Sequence, residues 1–276
     1  MRLFGKRQRQ QQCETAQFHK LKFKLGLALS GGGTRGFAHI GVLKAFEEEH
    51  IKFDCVAGTS IGSLVGAAYC ANVSTDSMIE LSHSVTKRDI LNRLFTIGSN
   101  SANIERVANK LLCDKTFDDL TTPFSCVAVD IADGQEVILT KGSVAKAVSA
   151  SCAVPAIFTP VALDDMTLVD GGLLNNMPAD VCRLMGAEIV IGVDLNHNRG
   201  KGTTSHKLVD TLVAIWNITT KGTMYKGHHN SDVVIEPELG QYKNTTLDFI
   251  DERIAEGYRA AKEAMPEIKE LLQIKQ

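Results

Sequence analysis

Apolar positions along this chain switch between two periods. Leu25 to Ser30 is a short unbroken apolar run of strand length. From Phe37 to about Glu49 the period becomes helical, with Ile40, Leu43 and Phe46 on one face and Glu47, Glu48 and Glu49 exposed. A second apolar run, Phe53 to Ala57, follows. Ser63 to Ala71 then places Leu64, Val65, Ala68 and Tyr69 at helical spacing. Strand, helix and strand predict a right-handed parallel crossover. From Ser74 to about Leu120 the pattern is helical, with Met78, Leu81 and Val85 in one segment and Ile104, Val107, Leu111 and Leu112 in another. That segment is expected to lie over the strand ends as a lid or substrate wall.

Strand patterns return at Phe124 to Ile131 and Glu136 to Thr140, with Asp133-Gly134 between them as a hairpin signal. Ser143 to Ser151 reads as a short helix stopped by Pro155. Phe158 to Val161 and Thr167 to Val169 read as extended pieces around Asp164-Asp165. Pro178 to Met185 is a helix with proline near its first turn. Glu188 to Leu195 is a buried β-branched strand. Leu208 to about Tyr225 is an amphipathic helix carrying Trp216, Val233 to Ile235 a last strand, and Phe249 to Leu272 a closing helix. The expected fold is α/β: a three-layer α/β/α domain with a mainly parallel central sheet. One domain spans residues 24–276, with a helical insertion at about 73–122.

Composition changes this picture at one end. The net charge is −2, but residues 1–24 hold seven basic residues and one acid, Glu14. Residues 1–23 are therefore expected to form a basic, disordered tail that either solubilises the chain or touches an anionic membrane surface peripherally. The acidic remainder argues against nucleic acid as a partner. No run approaches the roughly 20 apolar residues that span a bilayer, and no apolar signal core opens the chain. Seven cysteines, without a C-x-x-C pair, read as reduced thiols rather than a disulfide or zinc framework. These features together suggest a cytoplasmic protein.

The chemistry gathers at three places. Gly58-Thr59-Ser60-Ile61-Gly62 sits between an apolar strand and a small-residue helix, the context of a nucleophile elbow. Ser30-Gly31-Gly32-Gly33-Thr34-Arg35-Gly36 follows the first strand. Gly31, Gly33 and Gly36 match the dinucleotide fingerprint, with Asp54 as the candidate ribose-binding acid. The same glycines would also let successive amides form an anion pocket, with Arg35 reinforcing it. A P-loop is excluded, because no Gly-Lys-Ser/Thr follows. Asp170-Gly171-Gly172 is either a turn or the source of a base for Ser60. Ser60, Asp170 and His197 stand in hydrolase triad order, although His197 lies in a polar stretch. His39 reads as packed or loop-tethering. His228-His229 reads as a surface pair, with no acidic ligand set nearby.

In this order, Ser-Gly-Gly-Gly-x-Arg-Gly, Gly-x-Ser-x-Gly and Asp-Gly-Gly resemble the patatin-like phospholipase family, over about Leu25 to Asn196. Ser149 to Pro155 and Gly192-Val193-Asp194 add to the likeness. The resemblance implies a serine–aspartate dyad without histidine. Ser60 would be the nucleophile and Asp170 the base. Amides of Gly31, Gly32 and Gly33 would form the oxyanion hole with Arg35 beside it, and Gly58, Gly62, Gly171 and Gly172 would support the motifs. The implied reaction is hydrolysis of lipid acyl esters through an acyl-enzyme, with a lipid or acyl-ester substrate and no cofactor or metal. A regulatory or adaptor protein keeping the fold, and a nucleotide-binding protein using the glycine loop, are the alternatives.

Overall fold

A computed structural model describes residues 25–87, 99–198, 208–242 and 247–274. The basic tail 1–23, with Cys13 and His19, lies outside the described residues, as does His206. In chain order the strands are β1 (Leu25–Leu29), β2 (Cys55–Thr59), β3 (Phe124–Asp130), β4 (Gln135–Leu139), β5 (Val161–Leu163), β6 (Met166–Asp170), β7 (Ile189–Val193) and β8 (Val233–Ile235). The helices are α1 (Phe37–Glu48), α2 (Ile61–Cys70), α3 (Thr75–Lys87), α4 (Ala102–Leu112), α5 (Val144–Ser151), α6 (Ala179–Leu184), α7 (Leu208–Asn230) and α8 (Ile250–Ile274).

The strands form one sheet in the order β5-β6-β3-β2-β1-β7-β8, with β4 paired to β3. From β3 to β8 the pairings are parallel, while β4, β5 and β6 add antiparallel pairings at one side. The sheet is thus mixed around a parallel centre. β1, β2 and β7 are buried at every position, as unbroken apolar runs covered on both faces require. Alternate residues serve different layers. Leu27, Leu29 and Val56 join a core with residues of α1, α2, α5 and α8. Ala28, Cys55 and Ala57 pack with Val181 and Cys182 of α6 and Met224 of α7. No helix of the described residues is long and apolar enough to cross a membrane.

The register around β3 positions the site. β2 pairs with β3 through Val127, and β6 pairs with it from Ala128 onward in the opposite direction. β4 pairs along Cys126 to Asp130, overlapping both, so it must occupy the other edge. β2 and β6 therefore share one edge of β3 and meet there by their C-terminal ends. Thr59 ends opposite Val127, and Asp170 ends opposite Ala128.

Several boundaries differ from the sequence expectation. β2 starts at Cys55 rather than Phe53, because Asp54 caps the start of β1 by accepting from Leu25 N at 2.9 Å. It continues through Gly58 and Thr59, which pair with Cys126 and Val127, so the strand runs straight into Ser60. Phe158 makes a single bridge to Ser99, and the extended piece there becomes β5 only at Val161. α7 runs on to Asn230 rather than ending near Tyr225.

Candidate active site

Ser60 occupies the junction of β2 and α2 with φ 54° and ψ −129°. This left-handed conformation is strained for a residue with a Cβ, and such strain persists only where the surroundings impose it. They do so here by hydrogen bonds. Ser60 N donates to Ser151 Oγ at 2.9 Å, Ser151 Oγ donates to Val127 O at 2.6 Å, and Ser63 Oγ donates to Ser60 O at 2.6 Å. Gly62 is required beneath the elbow: a Cβ there would stand 2.2 Å from Leu29 O. Gly58 passes directly under Gly62 as the penultimate residue of β2. Ser60 is 8 % exposed and sits at the positive N-terminal end of α2.

Asp170 is fully buried. Its Oδ1 accepts from Gly172 N at 2.8 Å, while Oδ2 is buried and makes no hydrogen bond. Burial pushes the carboxyl up to about 7 from its ordinary 3.8, with Ser60 and the Gly172 amide pulling the other way. The Ser60 hydroxyl thus faces the carboxylate without a fully formed hydrogen bond to it, leaving Oδ2 as an open acceptor. Gly171 lies against β3, where a Cβ would meet Val127 O at 2.3 Å. The close approach at Gly171 is thus toward β3, whereas Gly172 lies against Asn176 and Thr220.

The glycine loop differs in two respects from expectation. Gly31 N donates to Asn176 O at 3.0 Å, so this amide is already used. The amides of Gly32 and Gly33 have no acceptor among the described residues and remain available for an anion; Gly33 holds φ 59°. Arg35 does not line the cavity. It is 4 % exposed, and its Nε and Nη2 donate to Tyr242 O at 3.2 and 3.0 Å. Its evident task is to tie the loop to the C-terminal segment. Asp54, the candidate ribose acid, is committed to Leu25 N at the far end of β1, which removes the dinucleotide reading.

The histidines separate cleanly. His39 is buried, with its ring held near pKa 4 by desolvation, and so is neutral. Its Nε2 donates to Ser30 O at 2.8 Å, tethering the loop. His197 Nδ1 pairs with Glu236 at 2.8 Å and stands outside the cavity wall. His228, read as a surface histidine without acids nearby, in fact lies 2.9 Å from Asp194 and 3.9 Å from Glu236. The donor atoms of these three residues lie within 4.8 Å of one another, a size that would admit a cation. Each already has a partner within the group.

Ser60 and Gly31–Gly33 lie in the wall of a cavity of about 210 Å³. The rest of that wall is mostly apolar. α3 supplies Met78 and Leu81, α4 supplies Ile104 and Leu111, and α7 supplies Val213 and Trp216. Helices of the 73–122 segment therefore do form part of a cavity wall. Cys152 also lines it, next to Ser60 and Asp170, with its thiol pushed up by burial and so kept protonated.

Sequence reasoning missed four supports: Ser151, Asn175, Asn176 and Asn196. Asn175 O accepts from Thr59 Oγ1 at 2.8 Å, and Asn196 Nδ2 donates to Gly31 O at 2.7 Å. For Ser151, Asn175 and Asn176 the signal was polarity beside apolar residues; Asn196, in the polar stretch around His197, gave none. Such groups, when buried, need partners: the side chains of Ser151, Asn176 and Asn196 bond backbone atoms of the motifs, whereas Asn175 supports Thr59 through its own carbonyl and sends its side-chain amide to Glu136 and Asp180.

A model of the family described as patatin-like phospholipase matches residues 27–183. Mouse patatin-like phospholipase domain-containing protein 6 is 36 % identical over 181 residues, 62 % of this chain and 13 % of its own length. Neuropathy target esterase sws of Drosophila melanogaster is 33 % identical over 207 residues, 71 % of this chain and 14 % of its own. An NTE family protein of Mycobacterium tuberculosis is 34 % identical over 180 residues, 63 % of this chain and 49 % of its own. The chain thus spans half or less of the length of these relatives. Among solved structures, VipD from Legionella pneumophila superposes with a TM-score of 0.54 at 15 % identity, over 90 % of this chain and 67 % of that one. That likeness concerns the fold alone. The family model covers more than half of the chain, and on that ground the chain belongs to the patatin-like phospholipase family, a family of lipid hydrolases.

Proposed function

We propose that the chain is a serine acylhydrolase of lipid esters working through Ser60 and Asp170. One observation carries the reading: a strained serine faces a buried aspartate whose second oxygen is unbonded and whose pKa lies near neutrality. A base titrating near the working pH is suited to take a proton and return it.

Ser60 Oγ attacks the ester carbonyl while its proton passes to Asp170 Oδ2. The carbonyl oxygen becomes an oxyanion, which the Gly32 and Gly33 amides stabilise by roughly 3 kcal/mol per donor. Collapse breaks the ester C–O bond, and the leaving alcohol takes the proton from Asp170. Water then attacks the acyl-enzyme, gives its proton to Asp170, and the acid leaves as Ser60 regains its hydroxyl. The apolar cavity suits the acyl chain. The test is labelling by a fluorophosphonate probe with peptide mapping. Label on Ser60, and loss of both label and ester hydrolysis in folded Ser60→Ala, is expected. Undiminished hydrolysis in that variant refutes the assignment.

A further inference from the structure

α7 is apolar on both sides. Its inner side gives Val213, Trp216 and Thr220 to the cavity wall. Its outer side carries Leu208, Leu212, Ile215 and Ile218, which are 74, 42, 53 and 72 % exposed. A helix that is apolar all round is ordinarily covered all round. The exposed character also spreads to neighbouring segments. Leu174 is 39 % exposed and follows the turn whose Gly172 O accepts from Thr223 of α7. Phe249, 58 % exposed, stands two positions after Leu247 of the cavity wall. Three separate segments around the cavity thus present large apolar side chains outward, the usual mark of an interaction site.

Charge narrows the partner. Past the exposed Asp210 of its first turn, the helix contains no carboxylate as far as Asn230. Lys226 is engaged by Glu136 and Asp180. Lys221 is exposed, has no partner among the described residues, and lies one turn from both Ile218 and Tyr225. Tyr225 is itself 79 % exposed. An apolar stripe that ends in a tyrosine and a free lysine follows the depth profile of a lipid interface: hydrocarbon first, then amphipathic ring and cation at the headgroups.

We propose that the outer side of α7, with Leu174 and Phe249, docks on an anionic lipid surface and sets the cavity wall against it. The inference rests on the acylhydrolase reading for its purpose, since the substrate would be drawn from that surface. Docking itself needs no turnover, and this separates the two in an experiment.

Sedimentation with vesicles of phosphatidylcholine and phosphatidylglycerol is measured in the Ser60→Ala background, with and without Ile215→Gln plus Ile218→Glu. The double substitution should lower the partition constant at least about tenfold. With Ser60 intact, the same two substitutions should leave hydrolysis of a soluble butyrate ester within about twofold, while phospholipid hydrolysis in vesicles falls at least about tenfold. Lys221→Glu should weaken binding to the anionic vesicles and not to pure phosphatidylcholine. Equal partitioning with and without the double substitution overturns the proposal, as does failure of the parent protein to bind vesicles. A lipid-free homodimer that the substitutions convert to monomer also overturns it, and assigns the face to a second copy. Failure of the acylhydrolase reading would appear elsewhere, as butyrate ester hydrolysis that does not depend on Ser60.

Discussion

Replacing Asp170 by asparagine separates what this carboxylate does for the reaction from what it does to the fold. The carboxyl is raised from 3.8 to about 7, chiefly by burial. An acid whose pKa is higher folded than unfolded binds protons more tightly when folded. Stability therefore falls as pH rises through that window, and the full penalty is present above the folded value. From the two pKa values it amounts to roughly 4 kcal/mol at pH 8 and less than half of that at pH 5. Asparagine removes the charge and keeps an oxygen for Gly172 N, but buries an amide donor where Oδ2 had no partner. That donor takes back about 1–3 kcal/mol. The net expectation is a gain of roughly 2 kcal/mol at pH 8, or about 5 °C in melting temperature, with no gain at pH 5. Activity moves the other way. Ester hydrolysis should be nearly abolished in the variant, and in the parent kcat/KM should rise with pH around a midpoint near 7, since the base acts deprotonated. Paired thermal melts at both pH values, with a chromogenic ester assay, provide the check. A variant equally destabilised at both pH values, or one that retains substantial turnover, would refute the reasoning.

Three other substitutions test neighbouring parts of the site. Ser60→Gly should abolish hydrolysis yet stabilise the protein by roughly 1 kcal/mol, because glycine holds φ 54° without strain; urea unfolding reads the difference. Arg35→Ala should destabilise by about 2–4 kcal/mol, because it strips the Tyr242 carbonyl of two donors and empties a buried site; a fall in the urea midpoint is the expected result. His197→Ala should leave kcat/KM within about threefold of the parent, since the ring pairs with Glu236 outside the cavity; a loss of about two orders of magnitude would make His197 the base.

The sequence was legible where local geometry dictates residue type. Ser60 between Gly58 and Gly62 requires a strand before it and a helix after it, and the apolar periods on either side supplied both. The antiparallel hairpin at Asp133-Gly134 was legible for the same reason. What escaped were the directions of hydrogen bonds between distant segments. Gly31 belongs to a loop with free amides, yet its own amide is taken by Asn176, 145 positions on. Arg35 follows three glycines, which suggests anion binding, yet its guanidinium reaches Tyr242 instead. His228 appeared as half of an exposed pair because Asp194 and Glu236 come to it only through the pairing of β7 with β8. Spacing and period carry no record of such tertiary contacts.

With Ser60 and Asp170 as the proposed dyad, the end-to-end meeting of β2 and β6 on one edge of β3 would also set the moment at which this protein first becomes reactive. Ser60 leaves the ribosome 110 residues ahead of Asp170, a delay of about 5–20 s at ordinary elongation rates. Throughout that interval the serine lacks the proposed base. The cavity wall given by α7 is synthesised later still. On that reading, a nascent or prematurely terminated chain ending before β6 would carry Ser60 without its base, and membranes near the site of synthesis would be spared a partly folded hydrolase.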